Sequence, residues 1–323
     1  KITTPVLFLI FNRPDLTQKV FNAIRDVKPS KLFVAADGPR VSKPEDKEKC
    51  FASRKISEMI DWECDLQLLY RDENYGCRIA TSSAIAWFFE NVDEGIILED
   101  DCLPAKSFFW FCQELLEKFR DDERVMQING NYYLDGLIEF KESYYFSALN
   151  ACWGWATWKR AWKQFDSEMT GYHDFKKAGS IKKYFKDKDI SDWMLSYLDE
   201  AMMPDCNIWS TQWAYAIMRS NGLSITPTVN FVQNIGFTKE ATTGSHESFK
   251  KYTEYLPQEM DEITHPGAIE HAVAADVLQF KSIIKLTDPR CTGKVRYAAI
   301  EAVKNLFPQR FKDQIKKYLR RLL

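Results

Sequence analysis

The sequence predicts an α/β fold, in which a mostly parallel sheet is flanked by helices and followed by a C-terminal helical tail. Over the first 120 residues, short apolar runs alternate with segments whose apolar residues recur at helical spacing. Strands and helices that alternate in this way form a parallel sheet covered on both faces. The 323 residues are 45% hydrophobic, which suffices for a large core, and no apolar run approaches the length of a membrane span.

The first strand and the first helix are marked by a change of pattern at Asn12. Residues 4–11 form a continuous apolar run, as expected for a strand that is buried on both faces. Pro14 follows closely, and proline is favourable in the first turn of a helix. Apolar residues at helical spacing from Leu16 to Val27 extend this helix to about residue 27.

Further elements continue the alternation to about residue 120. Residues 31–36 form a second apolar strand, which is closed by the turn signal Asp37-Gly38-Pro39. Residues 95–98 form a buried strand that leads directly into three acidic residues. The other predicted elements are helices at about 44–61, 79–89 and 104–119 and a strand at 65–70.

The second half contains an unusual group of tryptophans between residues 150 and 162. Trp158 and Trp162 stand one helical turn apart, which indicates core positions. Trp153 and Trp155 flank a glycine on a predicted loop, where a ring could face a ligand or pack in the core. The elements predicted around this group are strands at 125–128 and 144–148, helical structure within 163–205, a helix at 209–219, a strand at 224–234 that is broken by Pro227, and a loop at 237–249.

The charge of the chain is distributed unevenly. The formal net charge is only −2, which argues against a nucleic-acid binder. From Lys281 to the end, however, twelve Lys/Arg stand against three Asp/Glu. Apolar residues recur near helical spacing among the basic residues of 295–323, so this tail is either an amphipathic segment for an anionic membrane surface or a helix packed on the domain. We expect a cytoplasmic protein, with peripheral binding to the inner face of the membrane as the alternative that the tail raises.

Polar residues follow the predicted strands at the edge of the sheet where ligands bind in α/β folds. The sharpest signal is Glu99-Asp100-Asp101, because its carboxylates are hard oxygen ligands for Mn²⁺ or Mg²⁺ and such a cation can bridge to phosphate. The alternative is a solvated acidic turn. No C-x-x-C pair, dinucleotide fingerprint or P-loop occurs in the sequence.

Three further side chains fall at the same edge, each with two interpretations. Arg13 and Arg78 could hold a phosphate or nucleotide through forked hydrogen bonds, or could form surface salt bridges. Asp37 could accept a hydrogen bond from a base, or could cap its own turn.

Several segments together resemble the GT-A (Rossmann-like) glycosyltransferases. The resemblance is to the N-acetylglucosaminyltransferase that initiates complex N-glycans and to related bacterial sugar transferases, and it covers roughly residues 4–250. The segments that carry it are TPVLFLIFNRPD, Ala36-Asp37-Gly38-Pro39, YGCRIA around Arg78, IILEDDCLPAKSFF, CWGWATW from Cys152, Trp209-Ser-Thr-Gln-Trp213 and Gly244-Ser245-His246.

The resemblance implies a role for each matching residue. Asp101 would bind the metal that bridges the diphosphate of a nucleotide sugar, and Glu99 and Asp100 would contact the ribose and the donor sugar. The nucleotide, most often uridine in this family, would be held by Arg13, Asp37 and Arg78. A lid over the donor would contain Ser245 and His246, and the residues expected to contact the sugar or the acceptor are Trp153, Trp155, Trp209 and Gln212.

The general base is where the sequence departs from the family. The family has an Asp in its W-x-x-W segment, whereas Ser210, Thr211 and Gln212 stand between the tryptophans here. A carboxylate is needed to accept the proton of the acceptor hydroxyl. We therefore expect Asp205 or Asp192 to take this role.

Taken together, these features predict a metal-dependent glycosyltransferase of the hexosyltransferase type, with a place in polysaccharide biosynthesis. It would move a sugar from a UDP-sugar, such as UDP-GlcNAc, to a hydroxyl of a glycan or lipid-linked acceptor, with inversion. The alternatives are a sugar-phosphate nucleotidylyltransferase and a degenerate carbohydrate-binding or scaffold protein. We expect a transferase domain at 1–265, with a nucleotide-binding half at 1–120 and an acceptor and donor-sugar half at 121–265, followed by a basic helical extension at 266–323.

Overall fold

An eight-stranded mixed sheet organises the part of the chain that the computed structural model describes, which is residues 1–203, 205–237, 250–288 and 291. The ten strands are β1 Val6–Ile10, β2 Lys31–Ala36, β3 Asp65–Tyr70, β4 Glu94–Glu99, β5 Cys102–Pro104, β6 Val125–Asn129, β7 Tyr144–Ser147, β8 Trp155–Trp158, β9 Leu223–Pro227 and β10 Val232–Asn234. The α-helices are α1 Pro14–Val27, α2 Asp46–Ile56, α3 Gly76–Asn91, α4 Lys106–Lys118, α5 Lys159–Trp162, α6 Tyr172–Lys177, α7 Ser180–Phe185, α8 Lys188–Ala201, α9 Ser210–Arg219, α10 Val273–Gln279 and α11 Lys285–Thr287. Short 3₁₀ turns lie at Ser57–Met59 and Lys250–Glu254, and a π-helical turn at Phe280–Ile284 joins the last two helices.

The order of the strands in the large sheet is β3-β2-β1-β4-β8-β6-β9-β7. The pairs β3–β2, β2–β1, β1–β4 and β6–β9 are parallel, whereas β8 is antiparallel to both of its neighbours and β7 is antiparallel to β9. A separate two-stranded antiparallel sheet joins β5 to β10. The carboxyl ends of β1, β2 and β4 therefore lie side by side at one edge, where α/β folds bind ligands.

Alternation along β1 explains how both faces of the sheet are covered. Val6 and Phe8 pack in a core with α1 and α4, whereas Leu7 between them packs with α3 and α9 on the opposite face. Because both faces are buried, the central strands read as continuous apolar runs rather than as alternating patterns. The α/β class and the flanked, mostly parallel sheet are those that the sequence predicts.

The Trp-rich segment corrects one local prediction. Trp158 and Trp162 are buried core residues, as expected, but Trp158 belongs to β8 and only Trp162 belongs to α5. Trp155 begins β8 directly after Gly154, whose φ of +70° favours glycine. A strand of four residues gives too short a pattern to be recognised in the sequence.

The described beginning of the predicted C-terminal extension packs onto the second half of the sheet. Phe280 is buried among residues of α8 and α9. The buried Asp276 carboxylate accepts hydrogen bonds from the Ser147 hydroxyl and from the backbone N–H of Ala148. Residues 273–288 therefore share a core with the predicted transferase domain, and the amphipathic segment 295–323 lies outside the described residues.

None of the helices within the described ranges has the length and apolar character that crossing a membrane requires.

Candidate functional site

A cleft of about 210 Å³ lies at the carboxyl ends of β1, β2 and β4. We refer to it as the first cleft. Its floor is formed by strand residues such as Leu9 and Ala35 and by the first turns of α3. The polar side chains that line it are Arg13, Asp37, Arg40, Arg71, Asn74, Thr81, Glu99, Asp100 and Asn207. The cleft thus brings together the predicted residues Arg13, Asp37, Glu99 and Asp100.

Arg13 is held between two carboxylates of the acidic triplet. Its Nη2 contacts Oδ1 of Asp100, and its Nη1 donates to Oδ2 of Asp101 at 2.8 Å. Burial by itself would lower the pKa of the guanidinium, but the two carboxylates outweigh burial and raise it. Arg13 therefore stays positively charged and fixes the orientation of both acids.

Asp100 and Glu99 differ in their surroundings. Asp100 is buried, and its Oδ2 accepts from the backbone N–H of Phe11 at 3.2 Å, which ties the end of β4 to the end of β1. Burial raises the pKa of Glu99, and the charge of Asp101 raises it further. Arg13 acts in the opposite direction. Arg13 thus compensates part of the negative charge of the triplet, and Asp100 and Asp101 are buried, so the triplet differs from a solvated turn.

Asp37 organises the loop between β3 and α3. Its Oδ1 accepts from the backbone N–H groups of Gly38 and Tyr75, each at 3.0 Å, and its Oδ2 accepts from the N–H of Gly76 at 3.1 Å and from Asn74 Nδ2 at 2.9 Å. The carboxylate therefore caps the beginning of α3 in addition to its own turn. This is the capping interpretation of Asp37, and the groups that it caps include backbone N–H groups of the β3–α3 loop.

Arg40 and Arg71 also line the first cleft, and neither has a role in the predicted site, although Arg71 directly follows a predicted strand. Arg40 donates from Nε and Nη2 to the buried Asp46 at the start of α2, at 2.5 and 2.9 Å, and its guanidinium lies 5.4 Å from the Phe11 ring centroid. Arg71 follows β3 and donates to Ser83 on α3 at 2.8 Å. The signals available in the sequence are an arginine directly after the Asp37-Gly38-Pro39 turn and an arginine directly after the predicted strand at 65–70.

Asp101 faces away from the first cleft, toward β10 and the segment after it. A Cβ on Gly236 would lie 2.1 Å from Oδ2 of Asp101, so only glycine allows this close approach. The backbone N–H of Ile235 also donates to the carbonyl of Asp101 at 2.8 Å. The carboxylate is thus enclosed by Arg13 on one side and by the chain around Gly236 on the other.

The fit of a divalent cation depends on these oxygens. Among the described residues, no group of three or more His, Cys, Asp and Glu side chains is arranged to hold a metal ion. Mg²⁺ is usually bound through one or two carboxylates together with substrate phosphates, so the single carboxylate of Asp101 fits that donor set. Arg13 already compensates its charge, so a bound cation would have to share this carboxylate with the guanidinium.

A second cleft, of about 260 Å³, lies beside the Trp-rich segment. It is lined by side chains of α8, α9 and the C-terminal helices and by the chain before β8. Trp153 is part of its wall, and the ring of Trp153 lies 5.2 Å from that of Phe237, the residue after Gly236. The acidic triplet is therefore linked to both clefts.

The structure corrects four of the predicted contacts. Trp155, Trp209 and Gln212 are buried, with at most 3% exposure, so none presents a surface to a sugar. Trp155 and Trp209 stack on each other in the core. Arg78 also turns away from the first cleft, because its Nη2 contacts the carbonyl of Ser167.

The predicted bases lie outside both clefts. Asp192 is on the outer side of α8, where it forms an ion pair with Lys188. Asp205 is an exposed turn residue two positions before Asn207, which caps α3 through the N–H of Arg78 at 3.0 Å. Neither carboxylate lines a described cleft. The predicted lid residues Ser245 and His246 lie outside the described residues.

Comparison with protein-family models and with curated protein sequences finds no match. Among solved structures, HddC from Yersinia pseudotuberculosis is similar with a TM-score of 0.32 and 8% identity, over 50% of this chain and 80% of that chain. UDP-glucose pyrophosphorylase in complex with UDP-glucose gives a TM-score of 0.31 and 10% identity, over 50% of this chain and 79% of that one. The apo form of a UDP-glucose pyrophosphorylase gives 0.39 and 8%, over 78% and 96%. Scores below 0.5 assign no family, so the description of the fold rests on the sheet topology given above.

Proposed function

We propose that this protein is a nucleotide-sugar-dependent enzyme, and that it transfers the sugar of a UDP-sugar to a hydroxyl of a glycan or lipid-linked saccharide. The observation that carries the proposal is the position of the acidic triplet between two clefts. One cleft contains three arginines, and the other is walled by aromatic side chains. A charged nucleotide-sugar donor on one side of the triplet and a neutral saccharide on the other match this division.

The first cleft has the chemistry of a nucleoside diphosphate site. Arg13, Arg40 and Arg71 supply guanidinium groups, which bind phosphate oxygens through forked hydrogen bonds. The Phe11 ring lines the same cleft and offers an apolar face to a base. Asn74 carries both a donor and an acceptor beside Asp37, which suits the edge of a base.

The acidic triplet stands where the diphosphate meets the sugar. Asp101 would hold a divalent cation, and that cation, when bound, supplies positive charge for the leaving diphosphate. Asp100 and Glu99 lie on the side of the first cleft, where carboxylates accept hydrogen bonds from ribose or sugar hydroxyls. Arg13 holds Asp100 and Asp101 in fixed orientations before the donor binds.

Sugar-phosphate nucleotidylyl transfer is the second candidate, and one observation favours it. Neither Asp205 nor Asp192 lines a cleft, and a sugar phosphate attacks through an oxygen that is already ionised, so it needs no base. Against this candidate, the connection between β1 and α1 is short and contains no glycine, whereas sugar-phosphate nucleotidylyltransferases usually carry a glycine-rich basic loop there.

Product analysis separates the candidates. Purified protein is incubated with UDP-sugars and Mn²⁺, and in parallel with UTP, sugar 1-phosphates and Mg²⁺. Slow release of UDP from a UDP-sugar is the expected result, because water substitutes for the acceptor. Release of pyrophosphate from UTP would replace sugar transfer by nucleotidylyl transfer. Binding of UDP-sugar without turnover under any metal would support a carbohydrate-binding scaffold.

A further inference from the structure

The second cleft has an aromatic wall. Trp153 and Trp193 each present a partly exposed indole, and Tyr197 and Tyr252 stand beside them. Aromatic faces of this kind pack against the C–H faces of pyranose rings, whose hydroxyls hydrogen-bond to polar groups beside the aromatic wall. A wall of rings therefore favours a ligand that is both flat-faced and polar.

The two indoles are held in place by other rings. Trp153 makes edge contacts with Phe237 and Tyr252, at centroid distances of 5.2 and 5.3 Å. Trp193 contacts Tyr197 at 5.0 Å and the buried Phe280 at 5.7 Å. A wall that is ordered before binding loses little side-chain entropy when a ligand packs against it.

Asp288 is the one carboxylate among the described residues that line this cleft. It is only 5% exposed, and its Oδ2 accepts from Nε1 of Trp193 at 3.0 Å and from the Tyr197 hydroxyl. No Lys, Arg or His is found among the described lining residues, in contrast to the three arginines of the first cleft. The described lining of the second cleft thus offers a carboxylate and no cation, which favours a neutral ligand with hydroxyl donors over a phosphate.

The position of the cleft connects it to the acidic triplet. Trp153 contacts Phe237, and the adjacent Gly236 lies against Asp101. On the same side, burial raises the pKa of the Cys152 thiol, and the charge of Glu99 raises it further. A ligand in the second cleft therefore lies next to the carboxylates at which the donor sugar is placed.

We propose that the second cleft is the acceptor site and that it takes a neutral saccharide, whose ring packs on Trp153 and Trp193 and whose hydroxyl donates a hydrogen bond to Asp288. This inference rests on the proposed function, because it assigns the acceptor of that reaction. In this arrangement Asp288 is the carboxylate at the acceptor hydroxyl, the role that the sequence analysis gives to Asp205 or Asp192.

The test is calorimetric titration of the full chain with lactose, cellobiose and N,N′-diacetylchitobiose, and separately with UDP and Mn²⁺. The variants are Asp288→Asn, Trp193→Ala and Trp193→Phe, of which the last keeps a ring but removes the N–H donor to Asp288. Asp199→Asn is the matched control. Asp199 lies on α8, the helix that also carries Trp193, and its carboxylate accepts a hydrogen bond from the Tyr172 hydroxyl at 2.7 Å outside the cleft.

The wild type is expected to bind at least one of the saccharides with millimolar affinity. Asp288→Asn and Trp193→Ala should weaken that binding about tenfold or more, the loss expected for a hydrogen bond to a charged group or for a ring contact. Trp193→Phe should weaken it less than Trp193→Ala. All of these variants and Asp199→Asn should bind UDP like the wild type.

Each other result has a definite meaning. Binding of UDP without binding of any of the saccharides would overturn the inference and leave the proposed function in place. Saccharide binding that is lost equally in Asp199→Asn and Asp288→Asn would show a structural role for Asp288 and would also overturn it. Saccharide binding in a protein that does not bind UDP would support the cleft assignment and overturn the proposed function.

Discussion

Nη1 of Arg13 donates to Oδ2 of Asp101 at 2.8 Å, so the carboxylate assigned to the metal is already paired with a cation of the chain. The arginine comes directly before α1 and the aspartate is the second residue after β4, and the parallel pairing of β1 with β4 brings the ends of these strands together. The ion pair thus sets the position of Asp101 before any ligand is present. We therefore expect nucleotide binding at the first cleft to depend on the charge balance of the triplet.

Replacing Asp101 with Asn tests this coupling. The change keeps the shape of the side chain but removes a charged oxygen ligand, so the affinity for UDP in the presence of Mn²⁺ should fall about tenfold or more. The free energy of unfolding should change little, because Arg13 keeps its contact with Asp100. Calorimetry with and without Mn²⁺ measures the effect, and Asp122→Asn, at the exposed pair with Arg124, is the control. Unchanged UDP affinity would remove Asp101 from the site.

Replacing Arg13 with Met is expected to destabilise the fold. Asp100 has a side-chain exposure of only 2%, and loss of its partner leaves an uncompensated buried charge, which costs about 3 kcal/mol. The double variant Arg13→Met, Asp100→Asn should recover part of this loss, since the buried charge is then absent. Urea unfolding of the four proteins of this cycle measures the coupling. Additive effects of the two substitutions would show that the pair is not energetically connected.

Asp37→Ala should loosen the β3–α3 loop. The substitution leaves the N–H groups of Tyr75 and Gly76 without their acceptor, at an expected cost of about 1–2 kcal/mol. Because the same loop lines the first cleft, UDP affinity should fall as well. Asp72→Ala, at an exposed position in the same strand-end turn, serves as the control. Equal unfolding free energies for the two variants would contradict the capping role.

The Arg40–Asp46 pair predicts a dependence of stability on pH. Hydrogen bonds from Arg40 and from Asn12 lower the pKa of Asp46, although burial opposes them. A carboxyl whose pKa is lower in the folded state stabilises that state above its ordinary pKa of about 4, and this stabilisation is lost as the pH falls through the folded-state pKa. Asp46→Asn should therefore be less stable than the wild type at neutral pH, and the difference should shrink in acid. Urea unfolding across this range measures it, and a constant difference would contradict the assignment.

The sequence was sufficient for the parallel half of the fold because its strands are buried on both faces. Helix α1 and strands β2 and β3 have the bounds that the apolar pattern predicts. The short strands β5 and β8 were missed, since three or four residues carry no readable period. The pairing of β8 between β4 and β6 depends on contacts between distant residues, which no local pattern encodes.

The site could be predicted where it depends on strand ends, and not where it depends on the direction of side chains. Arg13 and Glu99-Asp100-Asp101 lie together because they follow neighbouring strands. Arg78 was expected beside them, but it stands on the first turn of α3 and points toward Ser167. Asp288 lies far along the chain from Trp193, whose N–H donates to it, so its place in the second cleft follows only from the fold.

The central claim is that a nucleoside diphosphate binds in the first cleft. Backbone hydrogen exchange of the full chain, with and without UDP and Mn²⁺, tests it most directly because the exchange reports the location of the ligand. We expect slower exchange at residues 11–13, 37–40, 71–77 and 99–101, with no change along the edge strand β7. Unchanged exchange at these loops, or protection confined to other parts of the chain, would contradict it.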